Sequence, residues 1–121
     1  MRTVAAVRAG WGLALTVATR PLLRVMVRGE KPSGALVVFA RTVGIRDLVF
    51  GTGCLLAASS PDGVRDLRRW LAVWLASDVA DVAAGLTAAR HLGRSGALAA
   101  AAAPLPFVGA GVWSLRRLPA G

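Results

Sequence analysis

The stretch ARTVGIRDLVFGTG, residues 40–53, sets two arginines and an aspartate inside an otherwise apolar run. From Gly34 to Ser59 the chain has the length of a membrane span or of a buried core helix. Arg41, Arg46 and Asp47 fall near its middle, where translocon scales assign roughly 2.5–3.5 kcal/mol to each Asp or Arg. Such residues are tolerated where they face other helices, pair with one another or line a wet cavity. The fold therefore turns on what meets these three side chains.

The rest of the composition favours lipid over water. Hydrophobic residues make up 55% of the 121, charged residues 17%, and tyrosine is absent. The mean hydropathy is +0.59. A soluble helix alternates apolar and polar faces, whereas these segments are apolar nearly all round. A domain this small has too little interior to bury several such helices completely. The net charge of +9 is almost wholly arginine. No recognition helix, zinc spacing or aromatic ribonucleoprotein motif accompanies it, so the arginines between apolar runs read as topology and headgroup contacts, with no nucleic-acid partner. Cys54 is the one cysteine, which excludes an intramolecular disulfide and reads as a small buried hydrophobe.

Working outward from residues 40–53, the expected architecture is all-α: a single integral membrane domain over residues 1–121, a four-helix transmembrane bundle with spans at about 3–27, 34–59, 64–91 and 96–117. The first span has two registers, Thr3–Thr19 or a longer helix from Ala9 to Val27 that includes Pro21. Its TVATR end (16–20) is a poor cleavage site, so it reads as a retained helix. RGEKPSG (28–34) and SSPDG (59–63) read as turns, the latter placing Asp62 to cap the next helix. RHLGRSG (90–96) ends the third span in basic residues and glycine. Pro104 and Pro106 predict a kink in the fourth. An even number of spans puts both termini on one side, taken as the cytoplasmic side of a bacterial inner membrane, with Trp70, Trp74 and Trp113 towards the same face.

The third span carries its own acidic pair in WLASDVADVAAG (74–85): Asp78 and Asp81 share a helical face with Trp74, Ser77 and Gly85. On the second span, Ala40, Gly44, Asp47, Gly51 and Cys54 form a face of small or polar residues, suited to close helix approach in lipid. An antiparallel hairpin turning near Pro61 would set Arg41 level with Asp81 and Gly44 level with Asp78. The candidate polar pocket is therefore Arg41, Arg46, Asp47, Asp78 and Asp81, with the arginines facing anions and the aspartates as counter-charges or proton carriers. Arg8, near a membrane boundary, reads as snorkelling, His91 as interfacial, and Trp11, Trp70 and Trp113 as belt anchors.

Other motifs carry less. DVAD (78–81) has a magnesium-type spacing, but the many further helices and second Asp-rich motif of membrane prenyltransferases are missing. DGVRDLRRW (62–70) lacks the pattern of the CDP-alcohol phosphatidyltransferases. GTG (51–53) inside a span is explained by helix packing, and one interfacial histidine makes no Ser–His–Asp set. No metal or cofactor is implied.

Taken together, ARTVGIRDLVFG (40–51), SDVADVAAGL (77–86) and RHLG (90–93) resemble a class of small integral membrane proteins of bacteria and fungi, grouped as a domain of unknown function and DoxX-like in layout. Arg41, Gly44, Arg46, Asp47 and Gly51 match its Arg-x-x-Gly-x-Arg-Asp core, and Asp78 or Asp81 its acidic third helix. The resemblance implies a four-helix membrane fold and transfers no activity.

Three functions stand open from the sequence. The polar pocket would bind a small molecule, a lipid headgroup or an ion. Alternatively, a buried aspartic acid would act as general acid on a hydrophobic substrate. In the third reading the chain is a non-catalytic membrane subunit, or a homo-oligomer, whose charges only fix helix packing.

Overall fold

The computed structural model describes residues 1–26, 31–87, 94, 98 and 101–119. Within them the regular structure is helical, in five helices: α1 (Arg2–Val17), α2 (Thr19–Met26), α3 (Gly34–Ala57), α4 (Gly63–Thr87) and α5 (Leu105–Arg117). The chain divides into two compact units, Met1–Ser60 and Pro61–Gly121. The first half of the RGEKPSG turn and His91 with most of the RHLGRSG connection lie outside the described residues.

The expected four-helix transmembrane bundle is corrected here. Among the described residues one helix, α4, is long and apolar enough to cross a membrane. It has 25 residues, a mean hydropathy of 1.2 over its most apolar stretch, and 22% of that stretch is buried. The other expected spans fail for separate physical reasons. The first breaks at Ala18 (φ −106°, ψ 33°), leaving α1 at 16 residues and α2 at 8. At 1.5 Å per residue, α1 spans about 24 Å, short of a hydrocarbon core of about 30 Å. Pro21 accounts for the break: it has no N–H for the Val17 carbonyl, and its ring would crowd that carbonyl in a continuous helix. α3 is long enough at 24 residues. Every 18-residue stretch of it, however, contains Arg41, Arg46 and Asp47. Pro104, in a turn at Ala103–Pro104, starts α5 afresh, so that helix has 13 residues. The proline pair thus makes a helix start, with Pro106 in the first turn where its missing N–H has no partner to lose. With one candidate span among the described residues in place of four, the even count behind placing both termini on one side is lost.

In the first unit, α1 and α2 run antiparallel to α3. The facing pairs Arg2–Ala58, Ala9–Gly51, Gly12–Leu48, Thr16–Gly44 and Thr19–Arg41 share one sum of residue numbers, so a single register holds along the whole seam. Glycine sets the spacing. A Cβ on Gly12 would lie 2.5 Å from the Gly44 carbonyl oxygen, one on Gly44 would lie 2.9 Å from the Gly12 oxygen, and one on Gly51 would lie 2.6 Å from the Ala5 oxygen. The two backbones therefore touch, as helices do where both faces carry small residues. Beyond the break, Leu23 of α2 closes the end of the seam against Val37, Ala40 and Leu36. Each end of the pair is tied. The Arg2 guanidinium donates to the Ala58 carbonyl at 3.0 Å, where a cation suits the negative end of α3. At the other end, the Ser33 hydroxyl caps α3 by accepting from the Leu36 amide at 3.2 Å.

In the second unit, α4 opens just after Asp62, whose backbone carbonyl accepts from the Arg65 and Asp66 amides. Its carboxylate pairs with Arg65 at 3.1 Å in an exposed contact of small energetic weight. α4 buries Leu67, Leu71, Trp74, Asp78 and Gly85, a stripe at spacings of three, four and seven. α5 packs on it with Gly111 against the Leu75 side chain and Phe107 edge-on to Trp74, ring centroids 6.4 Å apart.

Two glycines of α1 give opposite expectations. Gly12→Val forces the seam apart and should lower stability by about 1–3 kcal/mol, the usual range for overpacking. Gly10 meets nothing within 4 Å, so Gly10→Ala should raise stability by up to about 1 kcal/mol through helix propensity. Thermal unfolding in detergent, followed by circular dichroism, checks both; a Gly12→Val protein as stable as the wild type would contradict the close seam.

Candidate functional site

The charges that opened the question resolve, in the first unit, around Asp47. The small-residue face of α3 read from the sequence, Ala40, Gly44, Asp47, Gly51 and Cys54, is buried at every position. α1 covers it. Asp47 is 3% exposed and faces Arg8, which is 0% exposed. One carboxylate oxygen, Oδ1, accepts from Arg8 Nη2 at 2.7 Å and from Arg8 Nε at 3.2 Å. Arg46 reaches the same oxygen through Nη2 at 3.4 Å. The Arg8 guanidinium also lies 5.4 Å from the centre of the Phe50 ring, on whose face a cation is favoured. Phe50 and Asp47 are three apart on α3, so one turn of helix presents both to Arg8.

Arg8 is the residue that the sequence reading assigned to snorkelling, and it is instead the most enclosed arginine of the seam. A signal for it existed. Ala5, Ala9, Gly12 and Thr16 repeat at spacings of three and four, a small-residue face on α1 that matches the one on α3, and Arg8 lies among them. A long side chain inside a small-residue face is covered by the facing helix and must find its partner across the seam.

The other expected site residues are distributed as follows. Arg41 is exposed, and its Nε donates to the Thr19 hydroxyl at 3.5 Å, beside the α1–α2 break. Thr19 in turn donates to the Leu15 and Thr16 carbonyls, satisfying acceptors next to the break. Asp78 and Asp81 belong to the second unit, one turn apart on α4. Asp78 is 1% exposed, and its Oδ2 accepts from the Trp74 indole Nε1 at 2.6 Å, an i,i+4 bond along the helix. Asp81 is half-buried on the same face. Trp74, expected towards an interfacial belt, is 0% exposed and serves as the donor that satisfies a buried acid. Trp11 and Trp113 are 38% and 48% exposed, and Arg117 lies 4.3 Å from the Trp113 ring centre. Among the described residues, no three His, Cys, Asp or Glu side chains gather as a metal site would need.

Among the described residues the arrangement is all-helical with one candidate membrane span, its buried charged groups bonded within or between helices while large apolar side chains point outward. No family model, curated protein or solved structure matches the chain.

The buried pair predicts strong non-additivity. Removing one partner strands the other charge, so Arg8→Ala and Asp47→Ala should each lower stability by about 3–5 kcal/mol. Arg8→Met with Asp47→Leu, which leaves no charge behind, should recover most of that loss; additive losses in the double-mutant cycle would count against direct pairing. Cys54, 1% exposed in the same seam, reports the opening directly: maleimide labelling should be slow in the wild type and faster in Arg8→Ala. In the second unit, Trp74→Phe keeps the ring and deletes the donor to Asp78, and should lower stability by about 1–3 kcal/mol in the same unfolding assay.

Proposed function

We propose that the chain is a membrane-associated, non-catalytic helical module of the bacterial inner membrane, in which the buried charges fix how its helices pack. One observation carries this reading: polarity is inverted relative to a soluble domain. Arg8, Asp47, Asp78 and Ser114 are at most 3% exposed, while Val25, Val17, Leu56, Phe39 and Val38 are 80%, 74%, 69%, 67% and 67% exposed. In water that exterior would need covering; in lipid it is the favourable side. α4 supplies the candidate span, and the apolar outer faces of α1 and α3 supply surface for lipid or for further copies of the chain. The Arg-x-x-Gly-x-Arg-Asp run of α3 supports kinship with the DoxX-like class named above.

The packing role is favoured over proton chemistry by the closure of the pairs. Arg8 and Asp47 side chains are 1% and 4% exposed, and Asp78, the natural general acid, already takes the Trp74 N–H. A ligand reading rests on Arg46 alone, whose side chain keeps 24% exposure while it holds Asp47. A small anion, an ion or a lipid phosphate arriving at that guanidinium would loosen Arg46 from the carboxylate.

Alkaline carbonate washing of membranes from expressing bacteria tests the membrane reading. The chain is expected to stay in the pellet; release into the supernatant would overturn it.

A further inference from the structure

The α1–α2 break gives the first unit a short helix unlike the rest. In α2, Thr19 and Leu23 are buried and Leu22 is half-buried, so one side of the helix is committed to the protein. Arg20 and Arg24, four apart and therefore neighbours on the helix surface, are exposed on its flank. Val25 and Met26 beside them are 80% and 62% exposed. Arg41, on α3, has its Nε at the Thr19 hydroxyl, next in sequence to Arg20. Lys31 is exposed just before α3. Over residues 20–41 the sequence holds Arg20, Arg24, Arg28, Lys31 and Arg41 against one carboxylate, Glu30. Fixed positive charge beside exposed apolar side chains on a short helix is the pattern that lies in a headgroup layer, apolar side chains in the acyl boundary and guanidiniums on phosphates.

We propose that Arg20 and Arg24 of α2, with Arg41 of α3, form a docking surface for the phosphates of anionic phospholipid headgroups. The assignment rests on the membrane reading above and names the lipid class it meets. Arginine suits the task because its planar fork binds two phosphate oxygens at once. Attraction to an anionic surface scales with basic residues, at about fivefold in affinity for each one. The Arg41–Thr19 contact anchors one of the three groups at the break.

The test uses the full chain in uncharged detergent micelles, titrated with short-chain phosphatidylglycerol, short-chain phosphatidylcholine and inorganic phosphate at low salt. Tighter binding of phosphatidylglycerol than of phosphatidylcholine is expected, with about twenty-fivefold loss in Arg20→Gln/Arg24→Gln. Arg116→Gln/Arg117→Gln removes the same charge from the end of α5 and should leave the preference in place. Equal binding of the two lipids would overturn the proposal, as would an equal loss in both double variants, since net charge alone would then explain it. Inorganic phosphate binding as well as phosphatidylglycerol would overturn the lipid assignment in favour of a free anion. Carbonate washing of the wild type separates the two levels: retention without lipid preference defeats this proposal alone, while release defeats the membrane reading and this one together.

Discussion

Backbone contact between α1 and α3 is the constraint on which the first unit depends. Gly12, Gly44 and Gly51 leave no room for a Cβ, so the helices meet along their main chains. That proximity brings Arg8 onto Asp47 at 2.7 Å and seals both from solvent. A buried ion pair contributes little net stability when compared with a well-packed apolar pair, because desolvation offsets the attraction. Its effect lies in selection: any slip of α1 along α3 would strand a cation and an anion in an apolar seam. The glycines permit the close approach in this register, and the charges penalise any other.

In the second unit, Asp78 takes a donor from Trp74, one turn earlier on α4. Trp74 is in turn placed by Phe107 of α5, and Gly111 lets α5 close on Leu75. By composition, α4 keeps an 18-residue stretch, residues 70–87, whose only charges are Asp78 and Asp81, and it is the candidate span, whereas every such stretch of α3 holds three charges.

Much of this was legible in the sequence. Residues 34–59 announced α3 through their length and apolar run, and the face of Ala40, Gly44, Asp47, Gly51 and Cys54 was readable because small residues at heptad spacing have few other uses in an apolar helix. The acidic face of α4 followed from the same periodicity. The bundle of four spans was misread because hydropathy averages over a break: Thr3–Val27 is apolar enough as a composition, while Pro21 divides it as a structure. Arg8 escaped for a related reason. Its distance from the N-terminus suggested a boundary, and only the matching small-residue face opposite shows that it points inward. Asp47 offered the complementary clue, but the hairpin of adjacent spans directed attention to Arg41 with Asp78 and Asp81, while the partner of Asp47 stood on α1.

The separation of Arg8 from Asp47 along the chain, 39 residues, also bears on biogenesis. A ribosome adds Arg8 well before its counter-ion, so the pair cannot form until α3 has been made. Until then α1 holds Arg8 without Asp47 and α3 holds Asp47 without Arg8, and neither helix suits an apolar setting by itself. Their compatibility with an apolar setting is a property of the pair, created at the moment they dock. The first sixty residues therefore complete their packing as a unit, with α1 waiting on α3.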